Sequence, residues 1–402
     1  MRENLSLAKR VAGVPLGVVW MCLFCDYVLM TMAIPIFPLL HTSDFMTGLL
    51  FAAKAICQIC CSPLLSGLID RHGKAIIMLG LALEISTLLM FSVTFSYDVW
   101  MLARGLSGVA SAALVSAGFA QLQRAFPEQE ERAMAMGLAT TGIIAGVCLG
   151  PVFGGTLYEL RPCLPFALLA LLEAAVLAAV WLGLPQSSVG AVAEAEAGKT
   201  DGTTMVAMLK CREVAEVLGA LMLANAAIAC LESTTARYFM NTFDFTVGQV
   251  SLFYLFTSVP SCLVSGLAGP LANSFGARRV LGLGLALQGF FTLVGPKDVL
   301  GLEVASFVIL GAGMGAVDGT SPAILGQLAD SKFGGTGKIY LMSNIAVQSG
   351  FVIGPILGNA VVEVGGFSCG MFVMGAALFS YALLFSAAGT GASGVSKPLL
   401  QA

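Results

Sequence analysis

Apolar residues run along this chain in stretches of about twenty, separated by short polar segments that hold most of the lysines and arginines. A helix rises about 1.5 Å per residue and the hydrocarbon core of a bilayer is about 30 Å thick, so each stretch is long enough to cross once. The pattern predicts twelve spans, at about 15–40, 45–69, 75–95, 99–125, 133–157, 164–184, 214–240, 247–272, 279–295, 299–327, 338–361 and 367–389. The first is too long for a secretory leader and shows no cleavage site, so it is expected to remain as a helix. Composition agrees. Of 402 residues 57% are hydrophobic and 11% charged, against about 25% charged in a soluble globule, and the mean hydropathy is +0.90. The predicted class is an all-α polytopic membrane protein with no room for a large soluble domain.

Charge sets the orientation. With the N-terminus in the cytoplasm, fifteen of the twenty Lys and Arg fall on that side and only Arg161 and Lys297 on the other. Lys54, Arg104 and Arg237 lie within or at the ends of spans. The asymmetry predicts both termini inside and an even number of spans. Basic residues scattered over short loops, with no basic stripe or stacking aromatics, exclude a nucleic-acid partner. The eleven cysteines sit mostly within spans and read as small packing residues. The "CQICC" run lies mid-helix, away from His41 and His72, so no metal site is expected. No Ser/His/Asp set or phosphate loop points to an enzyme.

The longest polar interruption, residues 185–205, is rich in Gly, Ala, Ser and Thr and reads as a flexible linker. The predicted organisation is therefore a six-helix half over 1–184, a cytoplasmic linker over 185–211 and a second half over 212–402. Internal repeats support it. "SGLIDRHGK" at 66–74 recurs as "GPLANSFGAR" at 269–278, and "GVCLGPVFGG" at 146–155 recurs as "GFVIGPILGN" at 350–359, at spacings of 203 and 204. Such repeats are the usual architecture of secondary transporters. In the first repeat Gly73 allows a tight turn, and Asp70, Arg71 and Lys74 can form a latch with charges at neighbouring helix ends; the alternative is a positive-inside loop with a turn glycine. In the second repeat, Gly146, Gly150, Pro151 and Gly154, matched by Gly354 and Pro355, put small residues and a kink on one helix face, suited to close packing or to a sliding interface.

With these motifs the chain resembles the major facilitator superfamily, and within it the proton-coupled drug and vesicular amine antiporters. The likeness covers nearly the whole chain: the Asp-Arg-x-Gly-Lys loop, "RGLSGVAS" in span four and the Gly-Pro motif in span five. "LFCDYVLMTMAIPIFP", "GLLFAAKA", "GVCLGPVFGGTLYE", "LANAAIACLE" and "GMGAVDGTSP" together look like the vesicular monoamine and acetylcholine transporters. The resemblance implies twelve helices in two pseudo-symmetric halves and alternating-access exchange of a small organic cation for protons. It implies a proton gradient as the drive, with no bound cofactor. Small-molecule substrate, protons and lipid are the expected partners, the monomer the expected working form, and a vesicle or plasma membrane the expected location.

Charge inside the spans narrows the site, because each buried ionisable residue costs about 2.5–3.5 kcal/mol even on the lenient insertion scale. The carboxyls away from span ends are Asp26, Glu84, Glu173, Glu232 and Asp318. The resemblance places Asp26 and Glu232 at the substrate amine, facing one another across a central cavity. It gives Asp318 a part in proton translocation and Arg104 the adjustment of a nearby acid's protonation. A structural ion pair or a snorkelling side chain is the alternative for each carboxyl, and a structural salt bridge for Arg104; for Glu84 and Glu173 the alternative is the favoured reading. Phe51, Tyr238 and Phe351 match aromatic positions of the family, suited either to ammonium groups or to packing.

Three departures matter. The family pairs the Lys54 position with an acid in span eleven, where this chain has Asn344, so Lys54 needs another partner and Asp26 is the expected one. Arg237 stands where the family is apolar and disfavours a cationic substrate unless an acid neutralises it. The long lumenal loop after span one is replaced by "HTSDF". The expected function is proton-coupled export of an amine; a broad drug or zwitterion exporter, or a sensor that binds without transport, are the alternatives.

Overall fold

The computed structural model describes residues 2–40, 42–126, 128–184, 205–294, 299–333 and 337–389. Among these the chain is almost wholly helical. The helices are α1 (Arg2–Ile36), α2 (Asp44–Val93), α3 (Tyr97–Ala125), α4 (Gln129–Leu160), α5 (Leu164–Gly183), α6 (Met205–Leu209), α7 (Arg212–Phe243), α8 (Val247–Phe253), α9 (Leu255–Gly266), α10 (Ala268–Phe275), α11 (Ala277–Val294), α12 (Leu300–Phe333), α13 (Gly337–Ile353) and α14 (Asn359–Gly389). A 3-10 turn, Phe37–Leu40, follows α1, and a π turn, Gly354–Gly358, joins α13 to α14.

Eleven helical segments among the described residues are long and apolar enough to cross a membrane. The last, Lys338–Ala387, has 50 residues, about 75 Å of helix and more than two bilayer cores. It is broken at Gly366, whose φ of 80° and ψ of 170° only glycine adopts readily. Two crossings therefore share one apolar run, which accounts for the twelve expected. A milder break at His72 (φ −134°, ψ 33°) divides α2 between the second and third crossings. Exposed Leu64, Val93, Leu182 and Val364 would be a liability in water and are lipid-facing in a bilayer.

Contacts divide the chain into two compact units. One comprises Met1–Leu40, Ala53–Lys199 and Val247–Ser251; the other comprises His41–Ala52, Thr200–Thr246 and Leu252–Ala402. The linker expected at 185–211 lies outside the described residues as far as 204. Lipid tails are as apolar as leucine, so close packing and hydrogen bonds, rather than water exclusion, hold such helices together. In the first unit α4 lies on α1 along its glycines: a Cβ on Gly146 would stand 2.8 Å from the Phe24 carbonyl oxygen, and one on Gly154 2.6 Å from Met32 Cβ. Gly150 meets Thr31, and the Thr31 hydroxyl donates to the Gly146 carbonyl at 3.1 Å. The second unit repeats the arrangement, with Gly350, Gly354 and Gly358 against Met222, Ala226 and Cys230 of α7. Pro151 is buried inside α4, while Pro355 sits in the π turn, a device that interrupts the helical ladder.

Candidate substrate and proton site

Asp26 is fully buried on α1. One carboxylate oxygen accepts from the Lys54 ammonium at 2.6 Å, and the other accepts from the Ser111 hydroxyl at 2.6 Å. Lys54 also reaches the Asp26 carbonyl at 3.5 Å and is itself buried. The partner that Lys54 lacks at Asn344 is thus supplied by Asp26. Gly108 makes room for the pair, since a Cβ there would come 3.0 Å from the Lys54 carbonyl carbon. Asp26, Lys54, Glu84, Ser111 and Glu173 all fall within two residues of the midpoints of their spans, Gly13–Leu40, Asp44–Leu65, His72–Val93, Tyr97–Ala125 and Leu164–Gly183. Five crossings therefore bring polar groups to one depth. Glu84 and Glu173, expected to be structural, lie in the same electrostatic neighbourhood as Asp26 and Lys54.

Arg104 is buried on α3, two turns before Ser111, with its guanidinium carbon 5.2 Å from the centroid of the Phe37 ring. That is cation–π distance. Phe37 belongs to an aromatic cluster with Phe91, Trp100 and Phe166, so the arginine is held by the closing turn of α1.

In the second unit Asp318 of α12 lies within two residues of the midpoint of its span, Leu300–Phe333. It accepts a hydrogen bond from the Asn225 amide of α7 at 3.3 Å; Asn225 also donates to the Leu221 carbonyl. Glu232 is half-buried two turns along α7, and its backbone carbonyl accepts from the Tyr254 hydroxyl at 3.3 Å. Tyr238 donates to Glu303 at 3.0 Å and stacks on Phe367, ring centroids 4.0 Å apart. Phe51 is buried, and Asn344 and Phe351 are half-buried on α13.

Arg237 has the acid that a cationic substrate would require. Its guanidinium pairs with Asp44 at 2.6 Å and donates to the Thr42 carbonyl at 2.7 Å. Around that pair, Asn359 donates to the Asp44 carbonyl at 2.9 Å and accepts from Ser233 at 2.7 Å. The Phe45 amide donates to Glu363 at 2.7 Å. Asp44 belongs to the short "HTSDF" segment, where sequence reasoning saw only a missing loop. An acid at the very start of a new helix, together with an unmatched arginine in another span, was the available signal.

At the expected latch, Lys74 donates to the Trp181 and Leu184 carbonyls at 2.9 and 2.6 Å. It therefore caps the C-terminal end of α5, a favourable place for a cation. Gly73 is buried beside the His72 break, and the side chains of Asp70 and Arg71 lie outside the described residues. In the matching repeat Arg278 pairs with Glu216, near the start of α7, and lies over Phe385 at 4.3 Å. Glu216 also takes Arg212 at 2.8 Å, and Lys332 pairs with Glu213 at 2.7 Å. Glu213 and Glu216 were not singled out from sequence, because acids near span ends are common on solvated surfaces.

The family model of the Major Facilitator Superfamily matches residues 19–257 and 217–397. The chain is 31% identical over 356 residues to the chromaffin granule amine transporter of Rattus norvegicus, covering 86% of this chain and 66% of that protein. It is 31% identical over 344 residues to the synaptic vesicular amine transporter of Homo sapiens, covering 84% and 65%. With the vesicular acetylcholine transporter of Drosophila melanogaster it shares 30% over 356 residues, covering 85% and 60%. The chain thus spans about two thirds of the length of these relatives, or less. Among solved structures, a POT family transporter superposes with a TM-score of 0.76 at 13% identity, covering 96% of this chain and 97% of that one. The nucleoside transporter NupG gives 0.70 at 15%, covering 95% and 98%.

Proposed function

The chain belongs to the Major Facilitator Superfamily, and from that premise we propose that it exchanges a small organic cation, an amine, for protons. The direction is from the cytoplasm into an acidic vesicle or out of the cell, by alternating access, with both termini cytoplasmic. One observation carries the reading: a buried carboxylate at mid-span, Asp26, whose charge is met by a primary ammonium, Lys54, at 2.6 Å. A substrate ammonium or a proton neutralises the same oxygen that Lys54 does. Three cations thus compete for one carboxylate, and competition between substrate and proton for one group is what couples their opposite movements. Similarity to transporters named for amines and acetylcholine supports the choice of cargo.

Asp318, with its amide partner Asn225, is the proposed second proton site. Glu232, Phe51, Tyr238, Asn344 and Phe351 are the proposed remaining substrate contacts. Aromatic faces suit an ammonium group, and Glu232 supplies a further carboxylate. The argument for a zwitterionic cargo rested on Arg237 and Asn344; the pairing of Arg237 with Asp44 answers the first of these. No cofactor enters the scheme, and the monomer contains every proposed residue.

The test is uptake of amines, polyamines and zwitterions into proteoliposomes with an acidic interior, with Asp26→Asn as control. Amine accumulation that collapses with the gradient and with the substitution supports the reading. Movement of zwitterions alone, or binding with no net flux, overturns it in favour of a zwitterion exporter or a sensor.

A further inference from the structure

Asp26 does not stand alone at the midplane. Glu84, on the third crossing, and Glu173, on the sixth, are both fully buried. Among the described residues no N–H or hydroxyl group donates to any of their four carboxyl oxygens. What faces them electrostatically is other carboxyl groups: Asp26 and Glu173 bear on Glu84, and Asp26 and Glu84 on Glu173. The other ionisable groups facing them are Lys54 and the thiols of Cys22 and Cys25 on α1. A carboxylate is an acceptor only, so two carboxyls bond to one another only when one of them carries a proton. Charge leads to the same result. Three ionised carboxylates against one ammonium would leave uncompensated negative charge in the hydrocarbon, where each buried charge needs a partner.

We propose that Glu84 and Glu173 carry protons and, hydrogen-bonded in series to Asp26, form a three-carboxyl proton store on the first unit. Asp26 already satisfies Lys54 and Ser111. It is therefore the ionised member, and Glu84 donates to it. Transfer of the Glu84 proton to Asp26 neutralises Asp26, releases Lys54 from its partner and leaves Glu84 ionised; the Glu173 proton then moves to Glu84. Each step moves one proton and conserves total charge. The substrate carboxyl can thus be protonated from a neighbouring reserve rather than directly from water. The two glutamates act through Asp26 and are positioning and proton-holding residues. This inference rests on Asp26 being the exchanging carboxyl, yet its first test needs no transport.

The experiment is infrared spectroscopy of the purified full chain in lipid nanodiscs, reading the C=O stretch of protonated carboxyls. Glu84→Gln and Glu173→Gln are each expected to remove one carboxyl's share of that absorption at neutral pH. If either leaves it unchanged, that residue holds no proton and the proposal falls. Should a variant fail to fold, 13C-glutamate labelling of the unsubstituted chain is the second measurement: at least two carboxyls' worth of the band must shift, and a smaller shift or none overturns the idea. Sharing is tested by titrating the band in Asp26→Asn. Its titration should move to lower pH, because the negative neighbour that opposes ionisation of the glutamates is gone; an unchanged profile means the glutamates are neutral but separate from Asp26. Where amine uptake is measurable, the double glutamine variant should flatten its pH profile. Absence of amine uptake with the infrared result intact would count against the amine reading alone.

Discussion

At the scale of single residues, the Asp26–Lys54 pair gives two predictions. Asp26→Asn should abolish gradient-driven accumulation in proteoliposomes, a loss of at least about tenfold, equivalent to about 1.4 kcal/mol of coupling, while the protein stays folded because Asn can still accept from Ser111. Lys54→Met should be the more damaging to stability: breaking a buried pair from either side costs up to about 3–5 kcal/mol, but Asn keeps a carbonyl oxygen for the ammonium, whereas Met gives the carboxylate nothing. Thermal unfolding in detergent should show that the Asp26→Asn/Lys54→Met double variant loses less stability than the two single variants' losses summed; additive losses would mean that the pair is not energetically coupled. Asp26 and Lys54 were legible in the sequence because a charge inside an apolar run needs a reason. Ser111 and Asn225 were not, because uncharged polar side chains occur in many spans and only their partners distinguish them.

Between whole elements, the glycine repeat has a checkable energetic content. Gly354→Ala would push a methyl into the Ala226 backbone, and overpacking of this kind costs about 1–3 kcal/mol. Gly137→Ala in α4 meets nothing within 4 Å and should be neutral or slightly stabilising, since alanine is the better helix former by about 1 kcal/mol. Melting temperatures of the two variants in the same detergent decide the matter. The Arg237–Asp44 pair joins α7 to the start of α2. Asp44→Ala and Arg237→Ala should each lower stability or transport, and the charge-reversed double variant should recover part of the loss, which a purely steric role for either side chain would not allow. Small-residue spacing was readable as a packing face, whereas the helix it packs on was not, since one stripe of glycines suits any neighbour.

For the molecule as a whole, the distribution of Lys and Arg predicts that tags at both termini are reached by antibody only after the membrane is permeabilised; a tag reached in intact cells would refute the even span count or the orientation. Apolar run length was enough to anticipate the crossings, because a bilayer core demands about twenty apolar residues of any helix that crosses it. Their exact ends were less legible. The second and third crossings share α2, with a break at His72 where turn residues were expected, and the last two meet at Gly366, where the only strong cue is a glycine pair.

The division between primary and tertiary information follows from the range of the forces. Class, membrane residence, approximate spans and the unusual charges within them are properties of short segments set against a fixed solvent, and the chain displays them without folding. Which charges meet is a property of helix rotation and depth. Asp26, Lys54, Glu84, Ser111 and Glu173 are separated by up to 147 positions, and only packing brings the mid-span residues of five crossings to one place. Hence Lys54 could be matched to Asp26 only as an expectation until packing joined them, Arg237 could be read as an obstacle until Asp44 stood beside it, and two glutamates that looked structural became neighbours of the central carboxylate.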